Sequence, residues 1–178
     1  MADPPAVRTF IPGEIETDGF LNAGLGTPLN FLMQKPLCVV TNSGNVLFNA
    51  NQQAGMLWNT DVYDPYNFHD QVNNTYIIKP TYSGYFTVTT WFAWAGANSG
   101  YRQIRITKNA NGNYLTATNY GGMDVPNIGG PGQGMTATSI PVACNGSSDY
   151  LEVVGYQTST GQLNALAGNF AAVYFHSK

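Results

Sequence analysis

Ser83-Gly84-Tyr85-Phe86-Thr87-Val88-Thr89-Thr90-Trp91-Phe92-Ala93-Trp94 decides the fold. From Tyr85 onward every residue is aromatic, β-branched or alanine. Such side chains lose rotamer freedom in a helix and fit a pleated surface. On a period of two, one face carries Phe86, Val88, Thr90, Phe92 and Trp94. The other carries Tyr85, Thr87, Thr89, Trp91 and Ala93. Neither is an ordinary solvent face, so the strand is expected to be covered on both sides.

The same signals spread outward. Leu37–Val40, Val46–Phe48, Met56–Trp58 and Tyr76–Ile78 read as short strands, as do Arg102–Thr107, Tyr114–Tyr120, Tyr150–Tyr156 and Phe170–His176. Thr136–Cys144 reads as a strand with an edge or bulge at Pro141. Asn59–Asn74 is expected to be a long loop. GGMDVPNIGGPGQG at 121–134 reads as a second, with six glycines and two prolines. Many short strands without βαβ spacing predict an all-β jelly-roll sandwich over residues 37–178.

Residues 1–36 differ. Pro4, Pro5 and Pro12 oppose helix. Thr17-Asp18 offers a helix N-cap, and Leu21, Leu25, Leu29 and Leu32 recur at helical spacing beside Phe20 and Phe31. Gly24, Gly26 and Pro28 interrupt that spacing and predict one or two short helical turns. An extended, partly helical arm results, and Phe20, Leu21, Leu25, Leu29, Phe31 and Leu32 are its expected docking residues.

The chain's 178 residues suit one domain. Charged residues are only 10%, against about 25% in ordinary soluble domains. Nineteen Asn and seventeen Thr supply neutral polarity instead. A net charge of −3 without a basic cluster argues against a nucleic-acid partner. No apolar run approaches the ~18 residues of a membrane span, and residues 1–16 do not read as a secretory signal. Cys38 and Cys144 form no CxxC pair and read as buried thiols.

Candidate chemistry is sparse. Asp61, Asp64, His69 and Asp70 are the sole cluster of ligand-type residues, and loop pinning by side-chain-to-backbone bonds explains it better than a metal. No GxSxG elbow and no GK[ST] loop occur. No enzyme, cofactor or metal is therefore expected. The aromatic excess points to a subunit interface at Tyr85 and Trp91, while Tyr63, Tyr66 and Tyr120 are candidate ligand-facing loop residues.

Ile77-Ile78-Lys79-Pro80-Thr81-Tyr82-Ser83-Gly84-Tyr85-Phe86-Thr87-Val88 resembles a signature of complement/tumour-necrosis-factor-like jelly rolls, and Phe170-Ala171-Ala172-Val173-Tyr174-Phe175 resembles their closing strand. The block from Trp58 to Asp70, and Gly100 to Ile106, are similar to stretches of short tailed-phage proteins. In those proteins the jelly roll follows a leader like Phe10–Thr17, Leu21-Asn22 and Leu29–Leu32. Residues 121–134 depart from the pattern. The resemblance implies a ten-stranded type of sandwich, usually trimeric, carried on a virion. Its expected role is a minor tail or tail-fibre-tip protein. A head (capsid) decoration protein and a glycan- or receptor-binding module are the alternatives. The expected partners are two further copies, other virion proteins reached through the arm, and a host-surface glycan, with no membrane insertion. Tyr85, Trp91 and Arg105 are the candidate trimer interface.

Overall fold

A computed structural model describes residues 17–73, 75–97, 99–126 and 132–178. The leader motif at 8–16 and the centre of the glycine loop at 127–131 lie outside the described residues.

In chain order, α1 (Asp18–Leu21), a π-helical turn (Asn22–Gly26) and α2 (Thr27–Met33) precede β1 (Leu37–Thr41), β2 (Val46–Phe48), β3 (Ala54–Gly55) and β4 (Thr60–Tyr63). Then come β5 (Ser83–Trp94), β6 (Tyr101–Lys108), β7 (Asn119–Pro126) and β8 (Gln133–Thr138). The chain closes with β9 (Val142–Asn145), β10 (Leu151–Gln157), β11 (Leu163–Ala165) and β12 (Phe170–Ser177). An eight-stranded sheet runs β2-β11-β5-β12-β1-β4, with β8 and β9 on the remaining edge of β5. A four-stranded sheet runs β3-β10-β6-β7. The pairings are antiparallel. This is the all-β jelly-roll sandwich expected from the sequence.

The first face of β5 is the core face. Phe86, Val88, Thr90, Phe92 and Trp94 are buried. Phe86, Val88, Phe92 and Trp94 meet Ile104, Ile106, Leu151 and Val153 of the other sheet in one cluster. Phe48, Phe92 and Trp94 stack within it at centroid distances of 4.9–6.0 Å. A second run of rings leads outward from Phe86 to Phe175 (5.5 Å) and on to Phe31 of α2 (5.4 Å). Phe31 thereby fastens the helix to the sandwich. Tyr66 adds a hydrogen bond from its hydroxyl to the Gln34 carbonyl, 2.6 Å.

Several elements differ from the sequence expectation. The helical segment is longer than one or two turns, because its breakers are absorbed. Gly24 and Pro28 are buried, so small residues face the domain. Pro28 sits in the first turn of α2, where a missing amide costs little. The Thr27 amide reaches back to the Asn22 carbonyl and widens the preceding turn. Met56–Trp58 is not a strand; Trp58 is fully buried and its amide bonds the Thr75 carbonyl, 2.7 Å. Of Tyr76–Ile78, only Ile78 makes bridges, to His69 and Leu151. Residues 114–118 turn rather than run as a strand, because Asn109 and Asn111 adopt positive φ and Tyr114 folds down onto Val154. The strand starts later, at Asn119, and takes in Gly121 and Gly122 of the expected glycine loop. Gly121 lets β7 approach β8: a Cβ there would lie 2.5 Å from the Thr138 carbonyl oxygen. Pro141 splits the expected 136–144 strand into β8 and β9, and β4 forms inside the expected 59–74 loop.

Gly155 of β10 sits under the core rings. A Cβ there would meet Phe48 at 2.7 Å and Trp94 at 3.1 Å. Gly155→Ala is expected to lower stability by about 1–3 kcal/mol through overpacking. Urea denaturation should show a lower midpoint at unchanged slope; an unchanged midpoint would contradict this packing.

Candidate functional site

The outer face of the eight-stranded sheet is built by the second face of β5 and its neighbours. Register places Trp91 opposite Phe170 and Thr136, and Thr89 opposite Ala172 and Thr138. Tyr174 lies between Thr87 and Leu37, and Ala172 between Thr89 and Val39. Val39 is followed by Tyr63 on β4, and Tyr85 lies opposite Ala143. The Thr89 hydroxyl stands 3.3 Å from that of Thr138 and 3.4 Å from that of Tyr174. Tyr85 (45%), Trp91 (36%), Phe170 (38%) and Tyr174 (37%) keep large exposed fractions. None of the residues in this ladder carries a formal charge. A sheet face that meets water normally alternates toward polar and charged side chains. An aromatic, uncharged face of this kind is the composition of a protein contact.

Phe170 and Tyr174 stand on this face beside Tyr85 and Trp91, though the sequence reading did not single them out. Their signal was the period of two in Phe170-Ala171-Ala172-Val173-Tyr174, read against the same alternation in β5. Arg105 does not join Tyr85 and Trp91. It lies on β6, in the four-stranded sheet, on the face turned away from the core. Strand alternation pairs Arg105 with Gln103 and Thr107 but does not say which sheet the strand enters. Arg102 is buried on the same strand face as Ile104, turned toward the core; its guanidinium donates to the Tyr101 carbonyl at 3.0 Å.

The three candidate ligand-facing tyrosines are not brought together. Tyr63 is on β4, Tyr120 on β7, and Tyr66 packs edge-on to Tyr82 beneath the helix at 5.4 Å. Two of them are strand residues, so no shared loop surface forms. Of the arm residues, Phe31 is turned into the domain, whereas Leu21 (42%), Leu25 (39%) and Leu29 (53%) face outward. The side chains of Phe20 and Leu32 lie outside what is described.

The Asp61–Asp70 cluster is a pinned loop. Asp64 accepts from the amides of Phe68 (2.9 Å) and His69 (2.8 Å). Asp70 accepts from the amides of Val72 and Asn73. Asp61 holds His69 Nδ1 at 2.6 Å, and His69 Nε2 faces the Thr75 carbonyl at 3.2 Å. Both ring nitrogens of this buried histidine are therefore engaged within the loop, leaving neither turned toward a substrate. No group of three ligating residues occurs among the described residues. Cys38 and Cys144 are free and buried, and burial pushes the Cys144 thiol up to about 12. No helix among the described residues is long and apolar enough to cross a membrane.

No family model matches the chain, and no curated protein matches it. Solved structures do. Eiger TNF from S. frugiperda aligns with a TM-score of 0.53 at 10% identity, covering 81% of this chain and 94% of that one. Murine APRIL at pH 5.0 aligns with a TM-score of 0.58 at 8% identity, covering 80% and 99%, and at pH 8.5 with 0.55 at 9%, covering 79% and 99%. At such identities the likeness establishes a tumour-necrosis-factor-like jelly roll and nothing beyond the fold.

Two carboxyls make stability pH-dependent in opposite senses. Burial raises the Glu152 carboxyl above its ordinary range, only partly opposed by the Ala110 amide at 2.8 Å and the Tyr114 hydroxyl. Burial also pushes Asp149 upward, but bonds from Lys108 (2.9 Å), Asn109 (2.7 Å) and the Asn145 amide outweigh it and hold Asp149 below its ordinary range. Glu152 therefore favours the fold when protonated, and its contribution fades as pH rises through its raised value. Asp149 favours the fold when ionised, and its contribution fades as pH falls below about 4. Thermal unfolding should show a midpoint that falls as pH rises above the ordinary glutamate range of about 4.3 in the wild type, and a flatter profile in Glu152→Gln. Parallel profiles would contradict this assignment.

Proposed function

We propose that this chain is a non-enzymatic structural protein that assembles as a homotrimer and serves on the exterior of a tailed-phage virion, as a minor tail or tail-fibre-tip protein. The observation that carries the assembly reading is the uncharged ladder of Tyr85, Trp91, Phe170 and Tyr174 with its threonine and alanine neighbours. It is a rigid patch on hydrogen-bonded strands, so ordering it in a contact costs little side-chain entropy. Closed three-fold symmetry would cover the patch on every copy without leaving an open contact that propagates into fibres. The resemblance to trimeric jelly rolls supports three as the number. The virion role rests on the order of sequence landmarks shared with short phage proteins.

The helical segment supplies the tether. Leu21, Leu25 and Leu29 recur every four residues, and Met33, 82% exposed, continues the row. The domain uses the opposite side of this helix, where Gly24, Pro28 and Phe31 lie. The leucine row is thus left for another virion component. Each fully buried leucine contributes about 1.5–3 kcal/mol, so a row repeated on each copy would retain the protein after ordering costs. A head location would use the same two surfaces against a different neighbour.

Trp91→Arg places a charge in the ladder without touching the core. Light scattering behind size exclusion should find this variant as monomer at concentrations where the wild type stays assembled, with circular dichroism unchanged. Wild-type assembly by the variant would remove the sheet face as the contact. Leu25→Asp combined with Leu29→Asp should leave the assembled state intact and reduce incorporation into particles at least tenfold. Undiminished incorporation would exclude the leucine row as the tether.

A further inference from the structure

We propose that the outer face of the four-stranded sheet holds a binding site for a carboxylate-bearing sugar. A cavity of about 520 Å³ opens there, within the size range of small-ligand pockets. Its floor is rigid: Tyr101, Gln103 and Arg105 stand on β6, and Tyr156 stands on β10. The 112–115 turn and the Asn51–Gln53 segment form its rim. Asn51 is fixed in a left-handed conformation (φ 58°), with its amide bonded to the Gln157 carbonyl at 2.9 Å.

Two polar groups that line this cavity lack hydrogen-bond partners among the described residues. Arg105 is half-buried and forms no hydrogen bond or ion pair among the described residues. Its cross-strand neighbours are Val154 and Gly122, which offer no side-chain acceptor. The nearby Asp124 carboxylate is engaged by Gln103 Nε2 at 2.6 Å, and Lys108 rather than Arg105 takes Asp149. The second group is Gln53 Oε1, a buried acceptor without a donor. An unpaired guanidinium fork on the floor and an unpaired amide acceptor on the rim call for a ligand that carries both an anion and hydroxyl donors.

The rest of the lining narrows the class. Tyr101 and Tyr156 stand 5.5 Å apart at 54°, presenting ring surface and hydroxyls together. Such rings pack against the C–H faces of a sugar, and amides match its hydroxyls as both donors and acceptors. A single cation suits one carboxylate better than a polyphosphate. A carboxylate accepts two parallel bonds from Arg105, a geometry lysine would not reproduce. The site is made by one chain and lies on the sheet opposite the proposed subunit contact. Its occupancy is thus independent of assembly.

Isothermal titration of the full chain with trigalacturonate and 3′-sialyllactose, against maltotriose and lactose as neutral counterparts, tests the site. At least one acidic sugar should bind at least tenfold more tightly than its neutral counterpart. Arg105→Gln should erase that preference without shifting the melting temperature, since Arg105 makes no hydrogen bond or ion pair among the described residues. Tyr156→Ala should weaken acidic and neutral sugars alike. The proposal fails if neither acidic sugar binds. It also fails if Arg105→Gln binds as the wild type does, or if inorganic phosphate displaces the sugar as well as monomeric galacturonate does. Binding by a monomeric Trp91→Arg protein would support the site even if the trimer were wrong.

Discussion

Strand β5 is hydrogen-bonded along both edges, and the rest of the structure follows from that. One edge receives β12 and β11, the other β8 and β9. Where Pro141 interrupts the second edge, Ser139 keeps it closed: the Val88 amide donates to its hydroxyl at 2.9 Å and the Ser139 amide to the Val88 carbonyl at 2.9 Å. With its backbone paired on both sides, β5 has only its two faces left to place. The core takes Phe86, Val88, Phe92 and Trp94. No described residue covers Tyr85 and Trp91 to the same degree. Burying an aromatic strand centrally thus forces a second aromatic surface outward, and a contact between copies is the reading that gives that surface a partner.

Low charge belongs to the same design. Neutral amides close the strand ends where a charged side chain would have to be desolvated. Asn169 Oδ1 accepts from the Ala93 amide at 2.6 Å, and its carbonyl accepts from the Thr41 hydroxyl at 2.7 Å. Asn42 reaches the Leu166 carbonyl at 2.8 Å, and Gln157 holds the Phe48 and Gly161 carbonyls. The positive-φ residues other than glycine, among those described, are all asparagine. Much of the asparagine content is therefore turn and closure chemistry, which Asn performs at small steric cost. The charges that remain stand out, and unpaired Arg105 stands out most.

Side-chain periodicity made β5, β6, β10 and β12 legible in the sequence, because each buries one face regularly. It failed where the backbone, not the side chains, defines the element. Strand β4 is an edge whose Val62 and Tyr63 stay exposed, so it looked like loop. Strand β7 contains two glycines whose value lies in close backbone approach, so it also looked like loop. The helix was underestimated because Gly24 and Pro28 normally break helices, whereas here they are its packing side. Of the candidate interface, Tyr85 and Trp91 could be found from alternation within one strand. Arg105 could not be placed, since alternation fixes relative faces within a strand and pairing between strands fixes the sheet. The groove around Gln53, Tyr101 and Tyr156 joins residues far apart in sequence, and no local pattern marks it.

Sedimentation equilibrium of the unmodified chain over a range of concentrations tests the account of the sheet face most directly. Coverage of that face by sister copies requires a mass three times the 19.2 kDa of the chain, stable to dilution. A single 19.2 kDa species at every concentration would mean that Trp91, Phe170 and Tyr174 meet water, and would contradict it.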